Sequence, residues 1–182
     1  VFKTKSDTEI VLNAYDAWGV DFPKNLTGMF AFAIVDRQEH SLYLARDRFG
    51  EKPLFIAECQ EHITFASELG ALTCLPDLKK TQNFKALAQY LCLNYVPGEQ
   101  TIIDEIHRLQ PGHWRLYKHG RTIQKKYWNL PRRITDNRLS LAENMQILRD
   151  KLDQAVAITL RSDVPVTLFL SGGIDSSIVA ES

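Results

Sequence analysis

The fold of the C-terminal part of the chain is decided by a run of seven residues, Ser171-Gly172-Gly173-Ile174-Asp175-Ser176-Ser177. The apolar residues 164–170 precede this run and residues 178–180 continue it, so the pattern predicts a short buried strand, a glycine loop and a helix. The two glycines allow the backbone to approach a ligand closely. The free N–H groups at the start of the helix and three serine hydroxyls favour an anion, and a phosphate group is the expected ligand.

This loop does not end in the Gly-Lys-Ser/Thr of the loops that support γ-phosphate transfer. Two glycines alone are equally typical of a tight turn built from small residues. The full run, with a strand before it and a helix after it, favours the nucleotide interpretation. Its form, Ser-Gly-Gly-x-Asp-Ser, resembles the pyrophosphate loop of ligases that adenylate a carboxylate or a related oxygen and release pyrophosphate.

A long helix is predicted before this strand, because Ser140 and Glu143 have the spacing of a capping box and apolar residues recur behind them at helical intervals. The predicted apolar stripe comprises Leu141, Met145, Leu148, Leu152, Ala155 and Thr159. The order of helix, strand, glycine loop and helix predicts the start of an α/β nucleotide-binding sheet. Because residues 130–137 are polar and contain a breaker, we predict three parts: a domain 1–130, a linker 131–139 and a second domain 140–182.

The first part has the pattern of an α+β domain. Ser6 and Glu9 form another capping-box pattern, and Gly19 ends the predicted helix. Short strands are predicted at residues 28–35, 42–45, 54–57 and 63–66. The first is apolar on both faces, which predicts that both faces are covered. The close spacing favours an antiparallel meander, since parallel crossovers need a dozen or more residues.

Two helices are predicted to cover these strands, a short one capped by Ser67 and a second one with an apolar stripe. The stripe comprises Phe84, Leu87, Ala88, Leu91 and Cys92. A hairpin is predicted beyond them, with strands near 114–117 and 122–128.

Composition and charge restrict the class of protein. Hydrophobic residues make up 45% of the chain and charged residues 24%, which is typical of a soluble globular domain. Lys+Arg and Asp+Glu both total 22, so the net charge is zero and no global field attracts nucleic acid or a membrane. No stretch approaches the roughly 20 apolar residues of a membrane span, and no signal-peptide pattern is present. We expect a cytoplasmic protein whose three cysteines, Cys59, Cys74 and Cys92, are reduced packing residues.

A basic run is the one local exception to this neutrality. Residues 106–138 contain nine Lys/Arg and one acid, Asp136, interleaved with four aromatic residues. Such a run can bind nucleic acid. It is more often a solvated hairpin and linker, so we expect no nucleic-acid partner.

Blocks along nearly the whole chain resemble the asparagine synthase (glutamine-hydrolysing) family. In chain order they are Ser6-Asp-Thr-Glu-Ile, Gly28-Met-Phe-Ala-Phe-Ala-Ile, Leu44-Ala-Arg-Asp-Arg-Phe-Gly, Lys52-Pro-Leu, Phe65-Ala-Ser-Glu, Leu109-Gln-Pro-Gly-His, Tyr127-Trp, Ser162-Asp-Val-Pro and the glycine loop. Several independent blocks in the right order are hard to produce by chance.

The resemblance implies the rear of a glutaminase domain followed by the start of a synthetase domain. The implied fold class is α+β and then α/β. The first part would be a partial N-terminal-nucleophile (Ntn) hydrolase-type αββα sandwich, with two antiparallel sheets between helices. The second would be the first helix, strand and pyrophosphate loop of an adenine nucleotide α-hydrolase-like (PP-loop) domain.

The implied activity is glutamine-dependent asparagine synthesis. Glutamine hydrolysis would supply ammonia to an aspartate carboxylate activated by ATP as β-aspartyl-AMP, giving asparagine, AMP and pyrophosphate. The implied ligands are glutamine, aspartate, ATP and Mg²⁺, and a homodimer is compatible with the family. Two alternatives stay open: a related amidotransferase with another carboxylate acceptor, and a non-catalytic truncated domain.

The resemblance also implies site residues. An aspartate at the position of Asp7 binds the α-ammonium of glutamine in the family, although an acid in the first turn of a helix also stabilises the helix dipole by itself. The implied ATP-binding residues are Leu170, Ser171, Gly172, Gly173, Asp175 and Ser176, with Asp175 as the candidate Mg²⁺ ligand. The adjacent charges of Arg46, Asp47 and Arg48 could clamp a substrate, but a solvated ion-pair cluster is more common.

The chain departs from the family pattern in several places. The family's nucleophile is a cysteine at the mature N-terminus, where this sequence has Val1, and the internal cysteines do not match that position. No catalytic residue is therefore assigned, and the fragment as given is expected to be inactive. The Asn-Gly-Glu block that contacts glutamine is absent. Glu51 replaces an aliphatic residue, and Thr167 stands where a glycine is common.

Overall fold

The structure, a computed structural model, describes residues 2–4, 6–59, 62–131 and 139–182. The chain divides into two units, Val1–Leu130 and Pro131–Ser182. Most of the predicted linker, together with Asp136, lies outside the described residues. In the described ranges, no helix is both long and apolar enough to cross a membrane.

The elements of the first unit follow the predicted α+β pattern. The strands are β1 (Ala31–Asp36), β2 (Ser41–Arg46), β3 (Phe55–Glu58), β4 (Ile63–Ala66), β5 (Ile106–Arg108), β6 (His113–Lys118) and β7 (Arg121–Lys126). The helices are α1 (Asp7–Trp18), α2 (Leu69–Thr73) and α3 (Phe84–Leu93), with a 3₁₀ helix (Gly19–Asn25) after α1. Gly19 ends α1 as predicted, because its φ of 62° lies in the left-handed region that glycine adopts without strain.

The start of α1 differs from the predicted capping box. The Ser6 hydroxyl accepts a hydrogen bond from the N–H of Thr8, whereas a capping box requires the N–H of Glu9. The Glu9 carboxylate accepts hydrogen bonds from the N–H groups of Lys3 and Thr4 instead. The backbone before the helix therefore competes successfully for the carboxylate that would have completed the box.

The strands form two antiparallel sheets, as the resemblance implied, and the single meander expected from strand spacing is wrong. The first sheet has the order β1-β2-β6-β7 and the second the order β4-β3-β5. After β2 the chain turns through a loop that contains Gly50, with a φ of 68°, and enters the other sheet. Strand β6, and not β3, pairs with β2, so that Tyr43 of β2 lies opposite Leu116 of β6. Strand spacing alone could not predict this exchange, because β6 is distant in sequence.

Strand β1 packs on both faces, with Phe32 against one core cluster and Ala33 against another, so the predicted cover is present except at the C-terminal end of the strand. It starts at Ala31 and lies at the edge of the first sheet. Ile34 is buried, but Val35 is 65% exposed. An apolar run predicts two buried faces only where a layer of structure covers each face, and the second sheet leaves this end of β1 open.

The core lies on both faces of the first sheet and on the outer face of the second. An aromatic cluster around Phe22, Tyr43 and Trp114 packs between α1 and the first sheet. A second cluster, which includes Leu44 and Ile56, fills the space between the sheets. A third cluster lies under α2. The β2 residues alternate between the first two clusters, as expected of a strand with period two.

The helices after β4 correct two expectations. The N-cap of α2 is Glu68, which makes no side-chain capping bond, so Ser67 is not the cap. Asn83 caps α3 by accepting a hydrogen bond from the N–H of Ala86 at 2.9 Å. The predicted apolar stripe of α3 does not cover the sheet: Phe84 is 73% exposed, and Ala86 is the residue of this helix that is buried. Periodicity gives the apolar face of a helix but not its direction.

The cysteines are all free thiols, as predicted. Cys59 packs against the third core cluster. Cys74 and Cys92 are exposed, so their prediction as packing residues is wrong.

The second unit contains the predicted helices, α4 (Leu141–Thr159) and α5 (Ile174–Glu181). The capping box of α4 is confirmed: the Ser140 hydroxyl accepts from the N–H of Glu143, and the Glu143 carboxylate accepts from the N–H of Ser140. The N-terminal half of the predicted stripe faces solvent, with Leu141, Met145 and Leu148 exposed. No residue of α4 is buried.

The predicted buried strand at 164–170 is absent, because these described residues form no strand and are exposed throughout. A strand is defined by its hydrogen bonds to neighbouring strands, and this segment pairs with no described strand. Residues 164–170 therefore have the apolar sequence of a strand but no described neighbouring strand with which to form hydrogen bonds.

Candidate functional site

Asp7 occupies the first position of α1, and its side chain is exposed. The other acid of this turn, Glu9, is occupied by hydrogen bonds from Thr4 and Lys3, which lower its pKa. Within the described part of the chain, Asp7 accepts no hydrogen bond. Asp7 is thus the carboxylate of this turn that no described residue occupies.

The glycine loop has the backbone expected of an anion site at the start of a helix. Gly172 has a φ of 77°, and no atom lies within 4 Å of the position that a Cβ would take, so conformation rather than crowding favours glycine there. Gly173 is the N-cap of α5 and provides no side-chain capping bond. The N–H groups of the first turn of α5 are therefore left for a ligand or water.

The serine hydroxyls shape the loop from within. The oxygens of Ser171 and Ser176 are 2.9 Å apart. Ser176 and Ser177 both donate to the carbonyl oxygen of Gly173, at 3.1 Å and 2.9 Å. A ligand that bound these hydroxyls would have to exchange these contacts for its own.

Leu170 and Asp175 flank the loop. Leu170 is 63% exposed, so the expectation that it is buried in a strand is wrong. Asp175 lies exposed in the first turn of α5. Among the described residues no cluster of three or more His, Cys, Asp or Glu could hold a metal. Asp175 by itself could hold Mg²⁺ only together with other ligands, such as the phosphate oxygens of a nucleotide.

The two predicted sites lie in different units. Asp7 belongs to the first unit, and residues 170–176 belong to the second.

A buried polar network at the end of β2 corrects the interpretation of the charged cluster. Asp47 is 1% exposed. Its carboxylate accepts hydrogen bonds from the N–H groups of Phe30, Phe49, Glu51 and Lys52, at 3.0 to 3.3 Å. It is therefore neither a solvated ion-pair member nor a substrate clamp. It organises the loop that carries the chain from the first sheet to the second.

Arg46 completes this network from the neighbouring position. Its guanidinium group donates to the carbonyl oxygens of Gly50, Lys52 and Leu109, at 2.6 to 2.7 Å. Burial lowers the pKa of Arg46. A sequence signal was present, because Arg46 and Asp47 end a strand whose preceding residues are apolar, a context that favours burial over solvation.

A cleft of about 850 Å³ opens between the two sheets at the end where the β1–β2 and β6–β7 turns lie. Its apolar wall contains Val35. Across it, the Tyr117 hydroxyl donates to the Glu58 carboxylate at 2.7 Å, and Arg115 donates to the same oxygen. Burial raises the pKa of Tyr117 to about 12, so its hydroxyl keeps its proton. This contact holds the two sheets together at their open end.

Three of the six described basic residues in the basic run are paired with acids from other elements. Arg115 pairs with Glu58 and Lys118 with Glu39, and Lys125 pairs with Asp21. Three of its aromatic residues, Trp114, Tyr117 and Tyr127, are buried. In the described part of this run, these rings are not available for stacking on bases.

Comparison with known proteins gives the class of the first unit. The family model described as glutamine amidotransferase domain matches residues 1–128. This match covers more than half of the chain, so the chain belongs to the glutamine amidotransferase family. The family model described as asparagine synthase matches residues 147–182. The resemblance to glutamine-hydrolysing asparagine synthases, predicted from the motifs, is thereby confirmed.

Curated relatives match this chain over nearly its whole length. A putative glutamine-hydrolysing asparagine synthetase 2 from Methanocaldococcus jannaschii is 34% identical over 97% of this chain and 35% of its own length. The glutamine-hydrolysing asparagine synthetase 1 of Bacillus subtilis is 35% identical over 98% of this chain and 28% of its own length. The amidase chyE of Penicillium rubens is 35% identical over 98% of this chain and 26% of its own length. The chain thus spans about a third or less of these relatives.

Proposed function

We propose that the protein to which this chain belongs is a glutamine-dependent asparagine synthetase. The observation that carries the proposal is the order of two matches on one chain, a glutamine amidotransferase domain at 1–128 and an asparagine synthase segment at 147–182. A domain that releases ammonia from glutamine, joined to a ligase that consumes ammonia, accounts for both matches. An Ntn hydrolase-type fold for the first part and a PP-loop fold for the second belong to this proposal.

The proposed reaction has three steps. Glutamine is hydrolysed to glutamate and ammonia. A carboxylate oxygen of aspartate attacks the α-phosphorus of ATP, which forms β-aspartyl-AMP and releases pyrophosphate. Ammonia then attacks the acyl carbon, and AMP leaves to give asparagine. We place this reaction in the cytoplasm, with which three free thiols are consistent.

Asp7 would bind the α-ammonium group of glutamine. Its carboxylate is exposed and accepts no hydrogen bond within the described ranges, which supports this role. A carboxylate and an ammonium group form a charge-assisted hydrogen bond, the stronger class of such contacts. No residue of this chain is assigned as the nucleophile that attacks glutamine.

Residues Leu170, Ser171, Gly172, Gly173, Asp175 and Ser176 would bind ATP. The left-handed Gly172 and the uncapped first turn of α5 support this role, since main-chain N–H groups at a helix start bind phosphate oxygens. Asp175 would hold Mg²⁺ together with these oxygens. The chemistry that Mg²⁺ supplies when bound is neutralisation of phosphate charge as pyrophosphate leaves.

Two substitutions in the full-length protein test the two halves of this proposal separately. Asp175→Asn is expected to lower aspartate-dependent AMP formation at least about tenfold, because Mg²⁺ loses its carboxylate, while glutamine hydrolysis continues. Asp7→Asn is expected to have the reverse effect: glutamine-dependent synthesis falls, while synthesis from added ammonia continues. Release of glutamate, AMP and asparagine would be measured side by side.

Asp150→Asn is the matched control, since Asp150 is an exposed aspartate of α4 outside the loop. It should leave all three products unchanged. Unaltered AMP formation in Asp175→Asn would remove this residue from the mechanism, and unaltered glutamine use in Asp7→Asn would leave Asp7 as a helix-end acid.

A second candidate keeps the ligase chemistry and changes the acceptor. The observation that favours it is a relative of equal similarity that is named an amidase rather than an asparagine synthetase. Supplying glutamine and ATP with aspartate or with other carboxylates, and identifying the amide formed, distinguishes the two candidates.

A further inference from the structure

Two residues near the end of the amidotransferase unit are more buried than the strand that leads to them. Strand β7 is exposed at all six positions and forms the edge of its sheet. Tyr127, the next residue, is nonetheless buried, and Trp128 is half-buried. An edge strand open to water on both sides does not account for this burial.

The contacts that hold Tyr127 and Trp128 come from two other segments. The Tyr127 hydroxyl donates to the carbonyl oxygen of Arg46 at 2.7 Å. The N–H groups of Tyr127 and Trp128 donate to the carbonyl oxygen of Gly112, at 2.8 Å and 3.4 Å. The ring of Phe49 meets that of Trp128 edge-to-face, with centroids 5.0 Å apart.

These two segments are themselves joined. The carbonyl oxygen of Asp47 accepts a hydrogen bond from the N–H of Gly112 at 2.7 Å. Gly112 has a φ of 66°, and a Cβ at this position would lie 3.2 Å from the Trp128 carbonyl oxygen. The buried carboxylate of Asp47 fixes the backbone of Phe49, so the ring that contacts Trp128 projects from a rigid loop.

The residues of this arrangement, which we call the clasp, are Arg46, Asp47, Phe49, Gly112, Tyr127 and Trp128. We propose that the clasp fixes the point at which the chain leaves the amidotransferase unit, independently of the exposed strand β7. This role goes beyond the proposed catalytic activity and does not depend on it. With the clasp formed, β7 could separate from β6 by thermal motion while Tyr127 and Trp128 stay in place.

Amide hydrogen exchange in the 182-residue chain tests the proposal. Tyr127→Phe removes one hydroxyl and keeps the ring, so exchange at residues 127 and 128 should accelerate about fivefold or more, the effect of losing one buried hydrogen bond. Exchange within strand β7, which opens without breaking the clasp, should change less than twofold. Tyr90→Phe, which alters an exposed tyrosine of α3, is the matched control.

A second variant tests the clasp through a different contact. Phe49→Leu removes the ring that meets Trp128 and should accelerate exchange at the same two amides, together with tryptic cleavage after Lys126. Phe65→Leu, a partly exposed phenylalanine of β4, is its control. Unchanged exchange at 127 and 128 in both variants would overturn the proposal. An equal acceleration within β7 would overturn it as well, since the clasp would then not be independent of that strand.

Discussion

Asp47 is a buried carboxylate that four main-chain N–H groups satisfy. A buried charge is tolerated only where hydrogen bonds replace the lost water. Arg46 carries the opposite charge, and its guanidinium group is satisfied in the same way, by donating hydrogen bonds to three carbonyl oxygens. The two charged side chains thus shape the loop between the sheets by hydrogen bonds to main-chain groups, and not by an ion pair with each other.

Gly50 shows how little space this loop leaves. A Cβ at Gly50 would lie 2.8 Å from the Pro111 Cγ and 2.9 Å from the Arg46 Cζ, and its φ is 68°. We expect Gly50→Ala to lower the free energy of unfolding by about 1–2 kcal/mol for the left-handed backbone and by roughly 1–3 kcal/mol more for overpacking. Urea denaturation measures both contributions together.

Gly120→Ala provides the control that separates them. Gly120 has the same φ of 68°, and no atom lies within 4 Å of its Cβ position. Gly120→Ala should therefore lose only the free energy of unfolding that is due to the left-handed backbone. If both variants lost the same free energy of unfolding, the residues around Gly50 would have moved to accommodate the added methyl group.

Among the elements, helices α3 and α4 turn apolar stripes toward solvent. Phe84 and Leu91 are exposed on α3, and Leu141 and Leu148 are exposed on α4. Packing therefore contributes little to α4, and its stability depends on its termini and its internal pairs. The Ser140–Glu143 box is the best-formed of these local features.

Ser140→Ala is expected to reduce the helical content of α4, because the N–H of Glu143 loses its acceptor. Loss of an N-cap serine typically costs about 0.5–2 kcal/mol. Circular dichroism at 222 nm during urea denaturation measures the effect. Ser67→Ala is the control, since Ser67 has a capping sequence but the N-cap of α2 is Glu68. A larger effect at Ser67 than at Ser140 would contradict the assignment of both caps.

For the whole molecule, burial is concentrated in the first unit. Every buried residue of the described ranges lies between Ala14 and Tyr127. The free energy gained from apolar burial therefore comes from the glutamine amidotransferase unit.

A chain shortened to residues 1–130 is accordingly expected to keep the main thermal unfolding midpoint of the 182-residue chain, to within about 2 °C. Differential scanning calorimetry of both chains measures this midpoint. A weak, broad transition from the second unit should disappear on shortening. A fall of more than about 4 °C, which corresponds to roughly 1 kcal/mol in a domain of this size, would contradict the prediction.

The sequence by itself determined the family, the antiparallel strands, the N-terminal cap of α4 and the positions of Asp7 and the glycine loop at the starts of helices. These features depend on local residue order, and local hydrogen bonds and periodicity carry that information. Tertiary structure alone decided the exchange of β6 for β3 beside β2, the burial of Asp47 and the outward stripe of α3. Each of these depends on which distant segment covers a given face, and no window of neighbouring residues contains that information. Residues 164–170 follow the same rule, since an apolar run becomes a strand only beside a hydrogen-bonding partner.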